Sequence, residues 1–539
     1  MEKRWLVLSE GKDLEKSLLE NRKIQDSQTF FEPHLCKLSS PNKIFPNLDK
    51  ALERIKKAIK NQELIFIYGD FDVDGVTGTA ILWETIDFLG GKVMPYIPNR
   101  EKEGYGINTD ALVSLAREGA KLIISVDCGV TAVEEAKIAK ELDVDLIITD
   151  HHPKQEVKPK AFALLHSDKL SGSGVAFMLA EALLDSFKKD TDEQVFKNLE
   201  LATIGTIADM TPLVEDSRII VSNGLHNLEN TGRIGLRAIY EEANLTKKIG
   251  TYEVGFIIAP RLNAAGRMET ALDSLRLLLT RNKERARLLA AKISETNRRR
   301  QEALKIALEH ARKFLRSTPV PKIIIAHHKS YPSGVIGLVA GKLVEEFSRP
   351  AIVISEGNIS KGSARSMNDF DISDAIASAK KYLESHGGHA KAAGFSLKSN
   401  NISKFKDKIL DFAESNLKDK DFIPVIKVDA ILEDHFLNNQ ILELTGKFKP
   451  FGVGNPEPLF LTKNLGVVDT RLVGNEGKHL RLVLSGKNKL IFEAIGFGLG
   501  KKNLKKGQKI DIVHAVNENN WNGGKKLELK IKDFKTAKC

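Results

Sequence analysis

Three short apolar runs, each ending in acidic residues, constrain this chain more than any other feature. Leu64-Ile65-Phe66-Ile67-Tyr68 leads through Gly69 into Asp70-Phe71-Asp72-Val73-Asp74-Gly75. Leu122-Ile123-Ile124-Ser125-Val126 leads into Asp127-Cys128-Gly129, and Leu146-Ile147-Ile148 into Asp150-His151-His152. Runs this short and this rich in Ile and Val read as strands buried on both faces. Thr77 to Leu89 and Thr131 to Leu142 carry apolar residues at helical spacing between them. Strands alternating with helices imply βαβ units and a parallel sheet. Ligands of such sheets bind outside the carboxyl ends of the strands, so the three acidic clusters are expected to converge.

Several carboxylates brought together repel one another, and bound cations relieve that repulsion. Carboxylate oxygens combined with one or two imidazole nitrogens suit Mn²⁺ or another borderline metal, with Mg²⁺ the harder alternative. Each cluster also has a plainer reading. An Asp after a strand is often a helix N-cap, a role open to Asp127. The DxDxDG run resembles a calcium loop, but Ile81 stands at the twelfth position, where Glu is required. An adjacent His pair says little alone. Three such clusters at three successive strand ends are harder to assign to coincidence.

The rest of the chain divides by texture. Its 539 residues suggest three or four domains. With 42% hydrophobic and 28% charged residues, a wholly disordered chain or a fibrous repeat is excluded. No apolar run approaches the ~18 residues of a membrane helix. Met1 to Glu10 does not read as a signal peptide. Cys36, Cys128 and Cys539 lie far apart, which points to a reducing cytosol. The net charge of +11 is uneven: residues 271–316 carry +8 and residues 421–539 carry +7, leaving −4 for the remainder. Basic stretches attract polyanions, although a solvated Lys-rich surface gives the same signal. Residues 271–316 hold no Gly or Pro and read as one long helix or two. Ile323 to Ile325 and Ala351 to Ile354, around a helix over 335–347, form a second and smaller α/β unit. From about residue 421, alternation such as Leu480-Arg481-Leu482-Val483-Leu484 indicates a small all-β domain.

Three further segments carry groups suited to phosphate. Lys361-Gly362-Ser363-Ala364-Arg365-Ser366 offers hydroxyls, a guanidinium and backbone N–H groups. Gly387-Gly388-His389 reads as a turn open to close backbone approach. Pro260-Arg261-Leu262-Asn263-Ala264-Ala265-Gly266-Arg267 holds two arginines six apart, able to clamp a phosphate or brace an interface.

In order, these motifs resemble the DHH phosphoesterase superfamily, and within it the bacterial single-strand-specific 5′→3′ DNA exonucleases. Ala202 to Leu213 resembles the fourth metal motif. Glu103-Gly104-Tyr105-Gly106 and Pro450-Phe451-Gly452-Val453-Gly454-Asn455-Pro456 carry the same likeness, which spans about 45–535. The resemblance implies an α/β fold: a parallel-sheet DHH metal domain and a smaller α/β DHHA1 domain joined by a long basic helix, then a C-terminal OB-fold β-barrel. The implied boundaries are an N-terminal segment 1–45, metal domain 46–240, connecting helices 241–318, accessory domain 319–418 and barrel 419–539. It implies a two-metal site of Asp72, Asp74, Asp127, His151 and Asp209 holding Mn²⁺ or Mg²⁺, with His152 beside the scissile phosphate and Asp70 orienting the ligands. Arg100, Ser363 and Arg365 would bind the 5′-phosphate, and Arg261, Asn263, Arg267, Gly388 and His389 the strand. Tyr68 stands where some relatives have a metal-binding His, and His166-Ser167-Asp168 where an Asn-Pro turn is expected.

The expected activity is release of 5′-mononucleotides from single-stranded DNA by a cytoplasmic monomer, in recombination and repair. A channel admitting one strand would exclude duplex. Single-strand-binding protein and a RecQ-type helicase are the implied partners, with no membrane. The chain is expected to lack the extra C-terminal domain of some longer relatives. Phe451, Phe460, Phe492, Phe497 and Trp521 are candidate stacking residues of the barrel, most of them expected in its core. Two alternatives remain: a phosphodiesterase for cyclic dinucleotides or very short RNA, which would lack the barrel, and a strand-binding scaffold without catalysis, which would have degraded metal motifs.

Overall fold

The computed structural model describes residues 3–100, 103–187, 191–246, 248–316, 320–367, 370–487, 490–502, 504–519 and 526–537. The chain forms two compact units. The larger comprises residues 5–266, 270–291 and 427–539, the smaller residues 292–426 with two short pieces.

In the larger unit the apolar runs form a five-stranded, wholly parallel sheet. Its order is Val93–Tyr96, Leu64–Gly69, Ala120–Val126, Asp145–Asp150, Ala163–His166. Ile65, Ile67, Leu122, Ile124 and Ile147 are buried, and so are the alternate residues Phe66, Tyr68, Ile123 and Ile148. Both faces are therefore covered, which explains runs without alternation. Two strands, Val93–Tyr96 and Ala163–His166, are too short and mixed to stand out in the sequence. Helices Val73–Phe88, Gly172–Phe187 and Asp192–Ala208 pack against one another beside the sheet.

The C-terminal part of this unit is a closed barrel of Phe460–Val473, His479–Ser485, Ile491–Gly496, Lys526–Thr536 and Lys509–Asn519. Pairing of the last with the first closes it, with Phe460 opposite His514. Leu18 and Phe30 of the N-terminal segment pack within the barrel's core. Phe460 and Phe492 are core residues, Phe451 is half-buried against that core, Phe497 is exposed, and Trp521 lies outside the described residues. Arg218, fully buried on helix Glu215–Glu229, has no carboxylate partner among the described residues. Instead it donates to the carbonyls of Phe30 (2.8 Å), Phe448 (3.2 Å) and Lys449 (2.7 Å), fastening the barrel's leading turn. Arg22 binds Asp429 (2.8 Å), Asn455 (3.0 Å) and the Pro456 carbonyl (2.7 Å).

The basic region 271–316 forms two helices, Leu272–Leu279 and Lys283–Arg316. The smaller unit contains a five-stranded mixed sheet ordered Ser385–His389, Ala392–Lys398, Ile359–Arg365, Ala351–Ser355, Ile324–His328. Two expectations are corrected here. Gly387-Gly388-His389 is no turn but part of an exposed edge strand, its glycines paired with Gly394 and Ala393. Lys361 to Arg365 lies inside the sheet, hydrogen-bonded to a strand on each side, so its backbone N–H groups serve the ladder. A run of small residues without bulky apolar neighbours conceals such strands. Among the described residues no helix is long and apolar enough to cross a membrane, and Cys36 and Cys128 are free.

His514 is fully buried, with Nε2 2.9 Å from the Thr462 hydroxyl, and burial pushes its pKa down to about 4. The unfolded chain therefore binds a proton that the folded barrel refuses between about pH 6.5 and pH 4, so stability falls as pH falls through that window. We expect a loss of about 2 kcal/mol between about pH 7 and pH 5. It should be read by amide exchange in strand Lys509–Asn519 and be absent in His514→Gln; equal losses in both proteins would refute the assignment.

Candidate metal centre

The loops after three adjacent strands bring their acidic residues together as the topology requires. His151 is central. Its Nε2 lies 3.1 Å from Asp127 Oδ1 and 3.9 Å from Asp74 Oδ2, and its Nδ1 lies 3.9 Å from Asp209 Oδ2. Ligand atoms of Asp74, His151 and Asp209 lie within 4.8 Å of one another, as do those of Asp127, His151 and His152, and those of Asp70, Asp72 and Asp127. All five expected ligands, together with Asp70 and His152, are thus gathered in one place.

Local structure explains each position. Asp72 is the N-cap of helix Val73–Phe88, its Oδ1 accepting from the N–H groups of Asp74 (2.9 Å) and Gly75 (3.1 Å). The capping role considered for Asp127 falls to Asp72 instead. Asp127 has φ +61°, a left-handed conformation uncommon outside Gly, Asn and Asp. Gly172 lies against its side chain: a Cβ there would sit 2.5 Å from the Asp127 Cβ. Asp74 accepts from the N–H groups of Gly172 and Ser173 (2.9 Å), the first turn of helix Gly172–Phe187, where the helix dipole favours an anion. Asp209 closes helix Asp192–Ala208 and accepts from the Thr211 hydroxyl at 2.7 Å.

The cluster is short of positive charge. Burial, reinforced by Asp72, pushes the Asp70 carboxyl well above its usual range, and burial with Asp74 does the same to Asp127. Asp74 is pushed up to about 6 by burial and the Asp209 charge. Asp70 Oδ1 is buried without a hydrogen-bond partner among the described residues, and Asp127 Oδ1 and His151 Nε2, 3.1 Å apart, are buried facing each other. Buried carboxylates and an imidazole turned toward one another are what a cation-binding pocket requires.

His152 is held differently. Its Nδ1 is 2.8 Å from Asp150 Oδ1, and Asp150 also accepts from the N–H groups of Val130 (2.7 Å) and His151 (2.7 Å). Burial alone would lower the His152 pKa, but the Asp150 hydrogen bond and charge raise it. The Tyr105 hydroxyl lies 3.1 Å from His152 Nε2. Asp150 and Tyr105 do not stand out as site residues from the sequence alone, although both lie within the Asp150-His151-His152 and Glu103-Gly104-Tyr105-Gly106 motifs. Tyr68 faces elsewhere: its hydroxyl donates to the Gly106 carbonyl (3.0 Å) and accepts from Asn108 (3.1 Å), in the core. His166 donates to the His152 carbonyl at 2.7 Å, giving the loop at 166–168 a bracing role.

The expected strand-binding residues divide between the units. Arg100 lies over the Phe71 ring, 5.2 Å from its centre. Asn263, on helix Ala259–Met268 with Arg261 and Arg267, accepts from the Val73 N–H at 3.2 Å, next to the Asp72 cap. Arg261 donates to the Ile257 carbonyl at 2.8 Å. In the smaller unit, Arg365 donates to Ser363 Oγ at 3.1 Å, while Gly388 and His389 lie on the exposed edge strand.

The barrel's leading loop supports the fourth motif. Leu213 N–H donates to the Val453 carbonyl at 2.7 Å. A Cβ on Gly452 would lie 2.6 Å from Leu213, and one on Gly454 (φ +75°) 2.9 Å from Pro212. Asp209 thus sits four residues from a contact that the barrel provides.

Comparison with known proteins extends over most of the chain. A model of the DHH family N-terminal domain matches residues 64–206, a DHHA1 domain model residues 321–415, and a RecJ OB domain model residues 428–533. The chain is 37% identical over 502 residues to the single-stranded-DNA-specific exonuclease RecJ of Bacillus subtilis, covering 90% of this chain and 63% of that relative's length. It is 32% identical over 509 residues to RecJ of Thermus thermophilus, covering 92% of this chain and 72% of that one. The crystal structure of Thermus thermophilus RecJ in complex with Mn²⁺ matches with a TM-score of 0.86 at 29% identity, covering 99% of this chain and 80% of that chain.

Gly172→Ala is expected to displace Asp127 without unfolding the sheet. Circular dichroism should be unchanged, while stabilisation of the protein by Mn²⁺ against thermal unfolding is lost. Retained stabilisation would show that the Asp127 position is not critical.

Proposed function

The chain belongs to the RecJ family, and from that premise we propose that it hydrolyses single-stranded DNA from the 5′ end, releasing 5′-mononucleotides. The observation that carries this reading is the convergence of Asp72, Asp74, Asp127, His151 and Asp209, beside an Asp70 oxygen buried without a hydrogen-bond partner among the described residues. Those five residues would hold Mn²⁺ or Mg²⁺, and Asp70 would orient them. Bound there, a divalent pair supplies Lewis acidity at phosphate oxygens and lowers the pKa of water.

The protein's own groups do the rest. Asp150 fixes the His152 ring through Nδ1, which leaves Nε2, 3.1 Å from the Tyr105 hydroxyl, as the nitrogen that would meet the scissile phosphate. At that nitrogen His152 holds or transfers a proton as charge develops on the phosphate. Arg100 is the proposed partner of the terminal phosphate on the metal-binding unit. The Ser363–Arg365 pair is a second phosphate-binding element, and Arg261, Asn263, Arg267, Gly388 and His389 would hold the strand. Backbone contacts of this kind carry little sequence information, so cleavage should tolerate any sequence. The barrel at 428–533 favours a polymer substrate over a dinucleotide. The same reading implies a cytoplasmic monomer acting in recombination and repair with single-strand-binding protein and a RecQ-type helicase.

A 5′-labelled strand is expected to lose its label as mononucleotide from the first moments of reaction, while a 3′-labelled strand shortens progressively. EDTA should abolish both, and loss beginning at the 3′ end would refute the polarity. His152→Ala should reduce turnover by about 10²- to 10⁴-fold in a single-turnover assay. A variant with unchanged turnover would remove His152 from the chemistry.

A further inference from the structure

The Glu103-Gly104-Tyr105-Gly106 motif meets Tyr68, the residue that stands where some relatives have a metal-binding His, at one place in the larger unit. Glu103 is exposed, yet both of its carboxylate oxygens are engaged. Oε1 accepts from the Tyr96 hydroxyl at 2.5 Å and Oε2 from the Asn99 N–H at 2.6 Å. The Glu103 N–H returns a hydrogen bond to the Asn99 carbonyl at 2.8 Å. Asn99 and Glu103 are therefore tied to each other in both directions, and Glu103 is tied to Tyr96 as well. Hydrogen bonds to a carboxylate are of the stronger kind.

Tyr96 is a firm anchor. It lies on strand Val93–Tyr96 in register with Tyr68, and the two rings pack with centroids 5.1 Å apart. The Tyr68 hydroxyl donates to the Gly106 carbonyl at 3.0 Å. The segment is thus fastened twice to one aromatic pair, at Glu103 through Tyr96 and at Gly106 through Tyr68. Only Gly104 and Tyr105 lie between. φ is +86° at Gly104 and +83° at Gly106, in the region that favours glycine, so the chain turns sharply on either side of Tyr105. The Tyr105 hydroxyl comes to 3.1 Å from His152 Nε2. Arg100, next to Asn99, lies over Phe71, and Tyr105 meets the same ring edge-on at 6.3 Å. Arg100 and Tyr105 flank one ring and share one clasp.

We propose that Glu103 is a positioning residue for recognition of the strand's 5′ end: its carboxylate, clasping Tyr96 and Asn99, holds Arg100 at a fixed distance from Tyr105 and His152. The inference rests on the reading above, in which Arg100 takes the terminal phosphate and His152 meets the scissile one. The interval between those two phosphates is set by the nucleic acid backbone, so the protein groups must match it. Loss of the clasp frees Asn99 and Arg100 to shift, while the carboxylates at the strand ends keep their own supports. A displaced phosphate partner costs rate out of proportion to the displacement. Tyr68, in place of a metal ligand, is the second post of this clasp.

The test compares 5′-phosphorylated and 5′-hydroxyl single strands of one sequence in single-turnover cleavage with Mn²⁺, using the 539-residue protein and its Glu103 variants. The wild type should favour the phosphorylated end. Glu103→Ala should reduce that preference by about tenfold, by slowing the phosphorylated strand more than the other. Glu103→Gln should keep it, because the amide oxygen still accepts from the Asn99 N–H while the amide nitrogen donates to the Tyr96 hydroxyl. Tyr96→Phe, which removes one arm of the clasp, should fall between the two. An undiminished preference in Glu103→Ala would overturn the proposal. So would equal slowing of both strands, which would assign Glu103 to the fold alone. Impairment of Glu103→Gln as deep as that of Glu103→Ala would also overturn it, by assigning the effect to charge. A wild type indifferent to the terminal phosphate would overturn the Arg100 reading and the clasp together, whereas the other three outcomes leave Arg100 in its role.

Discussion

The electrostatic cost of gathering carboxylates at the strand ends governs this structure. Two like charges about 4 Å apart repel by about 4 kcal/mol even at an effective dielectric constant of 20. Here Asp70, Asp74 and Asp127 are nearly inaccessible to water as well. A fold selected for stability alone would not place them together. The sheet does so because parallel connections direct every strand's carboxyl end the same way. Part of the repulsion is offset locally: Asp72 caps a helix, and Asp74 rests on the N–H groups opening another. The remainder is left for a cation, as the buried Asp70 oxygen without a partner among the described residues and the close approach of Asp127 to His151 indicate.

Around this centre the chain divides the work. Asp150 keeps His152 in place, and Tyr105 limits where its ring can turn. The barrel does more than offer a basic surface, since its leading loop meets Leu213 and Pro212 just beyond Asp209. Arg218 and Arg22, each caged by oxygen atoms, hold that loop against the rest of the unit. A buried arginine satisfied mainly by carbonyls fixes geometry, because each hydrogen bond has a defined direction.

The sheet's interior and its acidic ends were legible in the sequence because burial on both faces leaves unbroken apolar runs, and strand direction then determines where their ends go. Less was visible where a residue's role depends on distant chain. Asp150 stands beside the conspicuous His pair, and only the fold shows that its carboxylate orients His152 rather than joining the ligands. Tyr68 reads as a missing ligand until the hydrogen bonds to Gly106 and Asn108 turn its ring into the core. Gly387-Gly388-His389 reads as a turn in the sequence, because glycine propensity carries no information about an edge strand paired across to Ala393 and Gly394.

The most direct test of the account is calorimetric titration of Mn²⁺ into the 539-residue protein and its Asp127→Asn variant, which keeps the side chain's shape and removes its charge. The account predicts saturable binding by the wild type and binding at least about 100-fold weaker by the variant, with the same secondary structure. Equal affinity in the two proteins would contradict it, because the gathered carboxylates would then have no cation to hold.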